Sequence, residues 1–286
     1  MDKLKVIECP RDAMQGLHDF IPTDIKARYI NQLLNVGFDT IDFGSFVSPK
    51  AIPQMRDTAD VLKQLDLSET DSKLLAIVAN TRGAKDANTF EEINYLGYPF
   101  SISETFQQRN TNASIEESLS RLDEIANLTT NANKELVVYI SMGFGNPYGD
   151  AWSPELVTKW SERLNKEFGI KHLALSDTIG IANPEIITEL FTTLIPELPE
   201  VEIGAHLHST PNAVKEKVKS AYEAGCRKFD GAIKGFGGCP MAKDDLTGNM
   251  PTEDLLYWFD KNGIDTGLNL DAFRDSLELS LQVFPV

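Results

Sequence analysis

Short apolar and β-branched runs alternate along this chain with segments in which apolar residues recur every three or four positions. The first pattern indicates buried strands, and the second indicates amphipathic helices that pack on one face. The predicted strands are 4–9, 40–45, 73–79, 98–103, 135–142, 172–176, a run that begins at 201 and ends in His206-Leu207-His208, and 228–233. Eight strands separated by helical segments are therefore expected.

Helix-start signals support the same alternation. Ser114 with Glu117 forms a capping-box pattern, and the pairs Ser153-Pro154 and Asn183-Pro184 each place a proline at a first helical position. The predicted helices are 23–36 with Thr23 as N-cap, one within 46–66, 85–93, 114–128, two that begin near 154 and 184, 212–224, one that begins near 252, and 270–283.

One strand–helix unit recurs about every 30 residues, which is the size of a βα unit in a parallel sheet. Eight such units predict a (β/α)8 TIM barrel, with segment 270–283 as a C-terminal helical extension on its underside or flank. A doubly wound sheet is the alternative, but it normally has fewer units and a glycine fingerprint after its first strand. No linker interrupts the pattern, so residues 1–286 are expected to form a single catalytic domain.

Composition narrows the class of protein. A net charge of -16 disfavours nucleic-acid binding, because such binders carry a basic face. The start of the chain has no apolar signal region, and no run approaches transmembrane length, so no membrane partner is expected. Three cysteines without paired spacing suit a reducing compartment. We therefore predict a cytoplasmic enzyme.

Side chains that follow the carboxyl ends of barrel strands share one mouth, where barrel enzymes have their active sites. In this chain most of these positions carry polar or ionisable residues: Arg11, Asp12, Gln15, Asp42, Ser45, Asn80, Glu104, Ser141, Asp177, His206, His208 and Asn249. This concentration predicts a catalytic mouth.

The histidine pair predicts a metal site within that mouth. Residues two apart on a strand point to the same face, so His206 and His208 are expected to lie side by side. Asp12 would add a carboxylate, and Asn249 could add an amide oxygen. Mixed nitrogen and oxygen donors suit Mg²⁺ or Mn²⁺, with Zn²⁺, Co²⁺ or Fe²⁺ possible from the donor count alone.

Cys239 stands apart from the other two cysteines. It lies in the run Gly-Phe-Gly-Gly-Cys-Pro, which is typical of an exposed, mobile loop over the mouth and suggests a catalytic thiol. Cys9 lies in a predicted strand and Cys226 at a helix end, so both are expected to be packing residues.

These residues together resemble the 3-hydroxy-3-methylglutaryl-CoA lyases, which belong to a wider group of metal-dependent barrel lyases and Claisen-type synthases. The resemblance runs nearly end to end and rests mainly on Pro10-Arg11-Asp12, the stretch 45–50, His206-Leu207-His208 and Gly237-Gly238-Cys239-Pro240. The Arg-Asp and His-x-His pieces are shared with the synthases, whereas the Gly-Gly-Cys-Pro loop is more diagnostic of the lyases.

The resemblance implies a role for each matching residue. Asp12, His206, His208 and Asn249 would hold a divalent cation, Mg²⁺ or Mn²⁺. Arg11 would steady negative charge on the thioester oxygen, and Cys239 would act in proton transfer. Further catalytic positions are assigned to Asp42, Asp177 and Glu253, and substrate-binding positions to Gln15, Ser45, Lys50 and Asn80.

The implied reaction is retro-Claisen cleavage of 3-hydroxy-3-methylglutaryl-CoA, or of a close 3-hydroxyacyl-CoA, to acetoacetate and acetyl-CoA by a homodimer. The chain departs from the lyase pattern at Asp42, where glutamate is usual, and at Ser209, where aspartate is common. One alternative is a Claisen-condensing synthase of the isopropylmalate or citramalate type, which usually carries a C-terminal regulatory domain. The other is a binding protein on an inactive barrel, which the intact Arg-Asp, His-x-His, Cys and Asn set disfavours.

Overall fold

The computed structural model describes residues 3–210, 212–238 and 247–284. Within these ranges eight parallel strands pair in chain order and close into a barrel, because the last strand pairs with the first. The strands are β1 (Lys5–Glu8), β2 (Thr40–Ser45), β3 (Lys73–Ile77), β4 (Ile93–Ser101), β5 (Glu135–Ser141), β6 (His172–Asp177), β7 (Glu202–Leu207) and β8 (Lys228–Gly231). The predicted TIM barrel is confirmed.

Helices follow the strands around the outside of the barrel. They are α1 (Pro10–Gln15), α2 (Thr23–Leu34), α3 (Thr58–Leu62), α4 (Thr81–Ala87), α5 (Glu104–Thr111), α6 (Ile115–Asn131), α7 (Pro154–Phe168), α8 (Pro184–Glu197), α9 (Val214–Glu223), α10 (Thr252–Lys261) and α11 (Leu270–Ser280), with 3-10 turns at Pro53–Met55 and Ile233–Gly235. Over the described ranges, none of these helices combines the length and the apolar character needed to span a bilayer.

Caps explain where several helices begin. The predicted capping box is present, with reciprocal hydrogen bonds between Ser114 and Glu117 at the start of α6. Ser153 and Asn183 likewise accept backbone N–H groups at the starts of α7 and α8. Thr23 is not an N-cap as predicted: it is the first residue of α2 and its hydroxyl donates to Asp57.

The region 80–111 differs most from the sequence prediction. The helix predicted at 85–93 is wrong, because α4 begins at Thr81 under the cap of Asn80 and ends at Ala87. Strand β4 begins at Ile93, five residues before the predicted start, and the Asn94 side chain accepts the Leu74 N–H at its edge. The short helices α1 and α5 were not predicted.

Two apolar regions result from this architecture. The larger one lies between the outer faces of the strands and the helices. The smaller one lies inside the barrel and contains Leu75, Ile77, Val137, Tyr139 and Ala174. Because the interior is filled with side chains, space for a ligand is left at the ends of the strands.

The C-terminal helix α11 packs on the flank of the barrel against α2, as expected. The N–H of Asn269 donates to the carbonyl of Val36 at 2.9 Å. Just beyond α11, the Phe284 ring stacks on Phe236 with ring centroids 4.6 Å apart. The end of the described chain is therefore attached to the loop that follows β8.

Candidate active site

A buried guanidinium lies between two carboxylates at the carboxyl end of β1. The first turn of α1 carries Arg11, whose Nε lies 3.0 Å from Asp42 Oδ2 and whose Nη1 donates to Asp12 Oδ1 at 2.8 Å. Burial acts to lower the pKa of Arg11, but the two carboxylates outweigh it and raise that pKa above its usual value. Arg11 is therefore held charged and fixed in direction at the barrel mouth.

Asp12 is held by three donors. Its Oδ1 accepts from Arg11 and from Gln15 Nε2 at 2.7 Å, and its Oδ2 accepts from Asn249 Nδ2 at 2.6 Å. Burial acts to raise the pKa of Asp12, but Arg11 and the two histidines bring it below its usual value. An ionised carboxylate has about four lone-pair sites, so one remains available.

The two histidines project together beside Asp12. The ring centroids of His206 and His208 are 5.4 Å apart, and one ligand atom from each of these rings and from Asp12 lies within 4.8 Å of the others. His206 Nδ1 lies 3.0 Å from Asp230 Oδ2, which leaves its Nε2 free to face the mouth. His208 Nδ1 is buried and has no hydrogen-bond partner among the described residues.

The two rings differ in their electrostatic surroundings. Burial acts to lower the pKa of His206, but its hydrogen bond to Asp230 raises the pKa above the ordinary value. Burial, together with the neighbouring His206, lowers the pKa of His208 to about 4. A neutral His208 ring with an unpartnered nitrogen is the form that binds metals.

This donor set fits a divalent cation. A buried polar atom without a partner costs free energy unless it is satisfied, and His208 Nδ1 is such an atom. The Asp230 carboxylate orients the His206 ring from behind, as outer-shell partners of metal-binding histidines commonly do. Asp12, His206 and His208 could therefore hold a cation.

Asn249 reaches the site through backbone pairing. Segment 248–250 lies along the end of β7, where Ser209 N donates to Gly248 O and Met250 N donates to Leu207 O. The Asn249 amide also donates to the carbonyl of Phe236 at 2.9 Å. Its first contribution is therefore to orient Asp12 and to join the loop after β8 to the site.

A cavity of about 390 Å³ opens above these residues. Its wall includes eight of the residues predicted for the site: Arg11, Asp12, Gln15, Ser45, Asn80, Ser141, His206 and His208. Helices α5 and α6 contribute Arg109 and Arg121 to the same wall. Ligand pockets of small molecules span roughly 300–1,000 Å³, so the cavity is large enough for a substrate.

Other predicted residues lie elsewhere. Lys50 is exposed and does not line the cavity. Glu253 is half-buried at the start of α10, where it accepts the N–H of Lys234. Asp177 is buried and bound to Lys217, outside the cavity wall. Cys239 lies outside the described residues.

Strand alternation explains the position of Asp177. In the register of β6 with β7, Ser176 pairs with His206 and Asp177 pairs with Leu207. Because successive side chains point to opposite faces, Ser176 faces inward with His206, while Asp177 faces the surrounding helices. The same alternation, applied to the sequence, predicts that Ser176 and Asp177 point to opposite faces of the strand.

Three contributors to the site were not predicted from the sequence. Asp230, on β8, contacts His206, and period-two alternation from Lys228 could have placed it inside the barrel. Arg109 was missed because helix α5 was not predicted, and Arg121 was missed because it lies on a helix and not at a strand end. Cys9 is buried as expected, but its Sγ also lies within 4.8 Å of ligand atoms of His206 and Asp230.

Fold and site together define a TIM-barrel enzyme with a possible divalent-cation site at the carboxyl ends of its strands. Comparison with known proteins makes this class more specific. The HMGL-like family model matches residues 5–279. The chain belongs to the HMGL-like family.

Its relatives are carbon–carbon lyases by name. The hydroxymethylglutaryl-CoA lyase of Bacillus subtilis is 38% identical over 262 residues, which cover 92% of this chain and 86% of the relative. The cytoplasmic 3-hydroxy-3-methylglutaryl-CoA lyase of Rattus norvegicus is 33% identical over 276 residues, covering 96% of this chain and 79% of the relative.

Solved structures agree over the whole fold. The crystal structure of a Bacillus subtilis HMG-CoA lyase has a TM-score of 0.90 at 36% identity and covers 98% of this chain and 93% of its own. An HMG-CoA lyase of Acinetobacter baumannii, in complex with coenzyme A and 3-methylmalate, has a TM-score of 0.90 at 32% identity, covering 98% of this chain and 91% of its own.

Proposed function

We propose that this single-domain protein cleaves 3-hydroxy-3-methylglutaryl-CoA, or a close 3-hydroxyacyl-CoA, to acetoacetate and acetyl-CoA with a divalent cation, Mg²⁺ or Mn²⁺. The observation that carries the proposal is the buried set of Asp12, His206 and His208 beside Arg11 in the cavity wall. The names of the relatives supply the substrate.

Retro-Claisen cleavage sets clear demands on the site. The tertiary hydroxyl loses its proton, the bond between C2 and C3 breaks, and the electron pair passes to the thioester as an enolate. A proton is then added to C2, which yields acetyl-CoA. A cation at Asp12, His206 and His208 would lower the pKa of the substrate hydroxyl and orient it.

Arg11 would stabilise the negative charge that develops on the enolate. Its guanidinium is permanently charged and is fixed by Asp42 and Asp12, so it needs no reorganisation when negative charge develops. A charge aimed at the developing enolate oxygen stabilises the transition state more than the ground state. We assign Arg11 this role and Asp42 the role of orienting it.

Two further arginines of the cavity wall suit an anionic carrier. Arg109 is exposed and Arg121 is half-buried, and both line the cavity. Guanidinium groups bind phosphate groups well, and coenzyme A carries phosphates remote from its thioester. Local positive charge thus accounts for binding of an anionic substrate by a chain of net charge -16.

Proton delivery is assigned to Cys239, which follows β8 in the sequence. By its resemblance to the lyases, Cys239 would act in proton transfer. Gln15, Ser45 and Asn80 line the wall where the acyl group would lie. The homodimer and the cytoplasmic location stay predictions.

A direct assay tests the proposal. The protein is incubated with Mg²⁺ and 3-hydroxy-3-methylglutaryl-CoA, and acetoacetate is measured. The expected result is acetoacetate formation that stops with a chelator and resumes with added Mn²⁺. A parallel incubation with acetyl-CoA and a 2-oxo acid checks for condensation, which is detected through the free thiol of released coenzyme A. If the second incubation releases free coenzyme A and the first forms no acetoacetate, the protein is a synthase and the proposed lyase function is wrong.

A further inference from the structure

We propose that Lys217 is a positioning residue for the cation site, which it serves by fixing the backbone of His208 from outside the barrel. This inference rests on the cation site of the proposed function. Lys217 lies in the first turns of α9, a helix that contributes no side chain to the cavity wall.

The ammonium of Lys217 is fully satisfied. Its Nζ donates to Asp177 Oδ2 at 2.7 Å, to the carbonyl of His208 at 2.7 Å and to the carbonyl of Gly180 at 3.0 Å. An ammonium has three N–H donors, so each donor has one acceptor. Lys217 and Asp177 are 3% and 1% exposed, so water does not compete for these contacts.

These contacts join two segments that both reach the mouth. Asp177 also accepts the N–H groups of Ile181 and Ala182, which fixes the turn between β6 and α8. That turn carries Thr178, a residue of the cavity wall. Through the carbonyl of His208, the same ammonium holds the end of β7. The ion pair therefore sets the distance between the turn after β6 and the histidine that would bind the cation.

The buried charge of Lys217 adds little to the stability of the fold. A cation near a helix N-terminus is disfavoured by the helix dipole, and a buried ion pair adds little net stability compared with apolar side chains of similar size. The His208 backbone also bridges to Asn249, so the bond from Lys217 to the His208 carbonyl acts together with that pairing. A role in placing His208 explains why the pair lies where it does.

The test compares ion pairs of the same kind. In the double variant Asp177→Asn with Lys217→Met both charges are removed, so no uncompensated charge remains buried. The matched control is Asp57→Asn with Lys26→Met, because Lys26 also pairs with a buried aspartate and also donates to a backbone carbonyl, that of Gln54. That pair lies outside the cavity wall.

Mn²⁺ affinity is measured by titration calorimetry and the melting temperature by circular dichroism, on the protein without substrate. We expect the Asp177/Lys217 double variant to bind Mn²⁺ about tenfold or more weakly, the scale expected for a lost outer-shell partner. The Asp57/Lys26 control should show a similar change in melting temperature and keep wild-type Mn²⁺ affinity.

The outcomes separate the two proposals. Wild-type Mn²⁺ affinity in the Asp177/Lys217 variant would show that this pair only stabilises the fold and would overturn the inference. Equal weakening in both double variants would overturn it too, because the effect would then follow general destabilisation. A wild-type protein that binds no Mn²⁺ would remove the cation site and, with it, both proposals.

Discussion

Arg11 has a carboxylate on each side, and this pairing decides how it can be studied. Replacing Arg11 alone leaves Asp42, which is 1% exposed, without its partner. An uncompensated buried charge costs roughly 3–5 kcal/mol of stability. A single substitution therefore mixes a loss of chemistry with a loss of stability.

We predict that Arg11→Gln lowers kcat about a hundredfold or more, the scale of losing one charge-stabilising donor. The double variant Arg11→Gln with Asp42→Asn should recover much of the melting temperature and none of kcat. Steady-state kinetics and thermal unfolding of the two variants provide the measurement. If the double variant turned over at the wild-type rate, Arg11 would have no part in the transition state.

Asp230 offers a second test at the scale of single residues. It holds Nδ1 of His206 at 3.0 Å and so aims the other ring nitrogen at the mouth. Asp230→Asn should weaken Mn²⁺ binding about 10- to 100-fold, the usual effect of removing an outer-shell carboxylate. Titration calorimetry measures this, with the double variant Asp57→Asn, Lys26→Met as a control outside the cavity wall. Unchanged affinity would mean that the barrel wall alone orients His206.

Single residues were predicted well where a strand pattern fixed their direction. His206 and His208 were placed on one face because they are two apart, and the structure brings both to Asp12. Asp177 was grouped with its neighbours because it ends a strand, although alternation turns it outward. Asn249 was predicted from its place after the eighth strand, but nothing local predicts that its segment pairs with the end of β7.

At the scale of elements, Glu8 connects three parts of the barrel. It lies on β1, is fully buried, and accepts from the Ile233 N–H at 2.8 Å and from the Thr252 hydroxyl at 2.6 Å. It thus joins β1 to the turn after β8 and to the start of α10. Burial raises the pKa of Glu8 to about 8.

This raised pKa gives a pH dependence of stability with a defined sign. Between the ordinary glutamate pKa near 4.5 and about 8, the folded chain keeps a proton on Glu8 that the unfolded chain has lost. The free energy of unfolding should therefore fall as pH rises through this window. Glu8→Gln keeps a neutral side chain of the same shape and should remove that loss.

Urea unfolding at pH 5 and pH 8.5 provides the measurement. We expect Glu8→Gln to match the wild type closely at the lower pH and to be more stable than the wild type at the higher pH, by up to a few kcal/mol. A difference between the two proteins that stays constant with pH would show that Glu8 is charged in the folded state.

Elements were predicted best where burial repeats along the sequence. Strand β2 was predicted with both ends correct because it is buried throughout. The start of β4 was missed because its first residues alternate with polar ones and its edge bond comes from the Asn94 side chain. The N-cap signal of Asn80 was present in the sequence, and using it would have placed α4 correctly.

At the scale of the whole molecule, the barrel itself was predictable from the count and spacing of its units. The arrangement of the mouth was less so, because its residues come from distant parts of the chain and meet only after closure. Arg109 and Arg121 illustrate this, since neither lies at a strand end.

A bound cation should stabilise the folded protein. A ligand that binds only the folded state adds about 2.7 kcal/mol at a hundred times its Kd. We expect saturating Mn²⁺ to raise the melting temperature by several degrees and a chelator to reverse the rise. His208→Ala should show no such rise. An equal rise in that variant would place the ion elsewhere.

The barrel has a seam where its first and last strands meet, since β1 pairs with β8. The residues proposed to hold the cation lie on both sides of it: Asp12 follows β1, whereas His206 and His208 lie at the end of β7, which pairs with β8. A cation held across this seam would act as a reversible cross-link, and cross-links that close long loops restrict the unfolded chain most. A chain that has not joined its two ends would have no complete binding site, so cation uptake would distinguish closed barrels from partly folded ones.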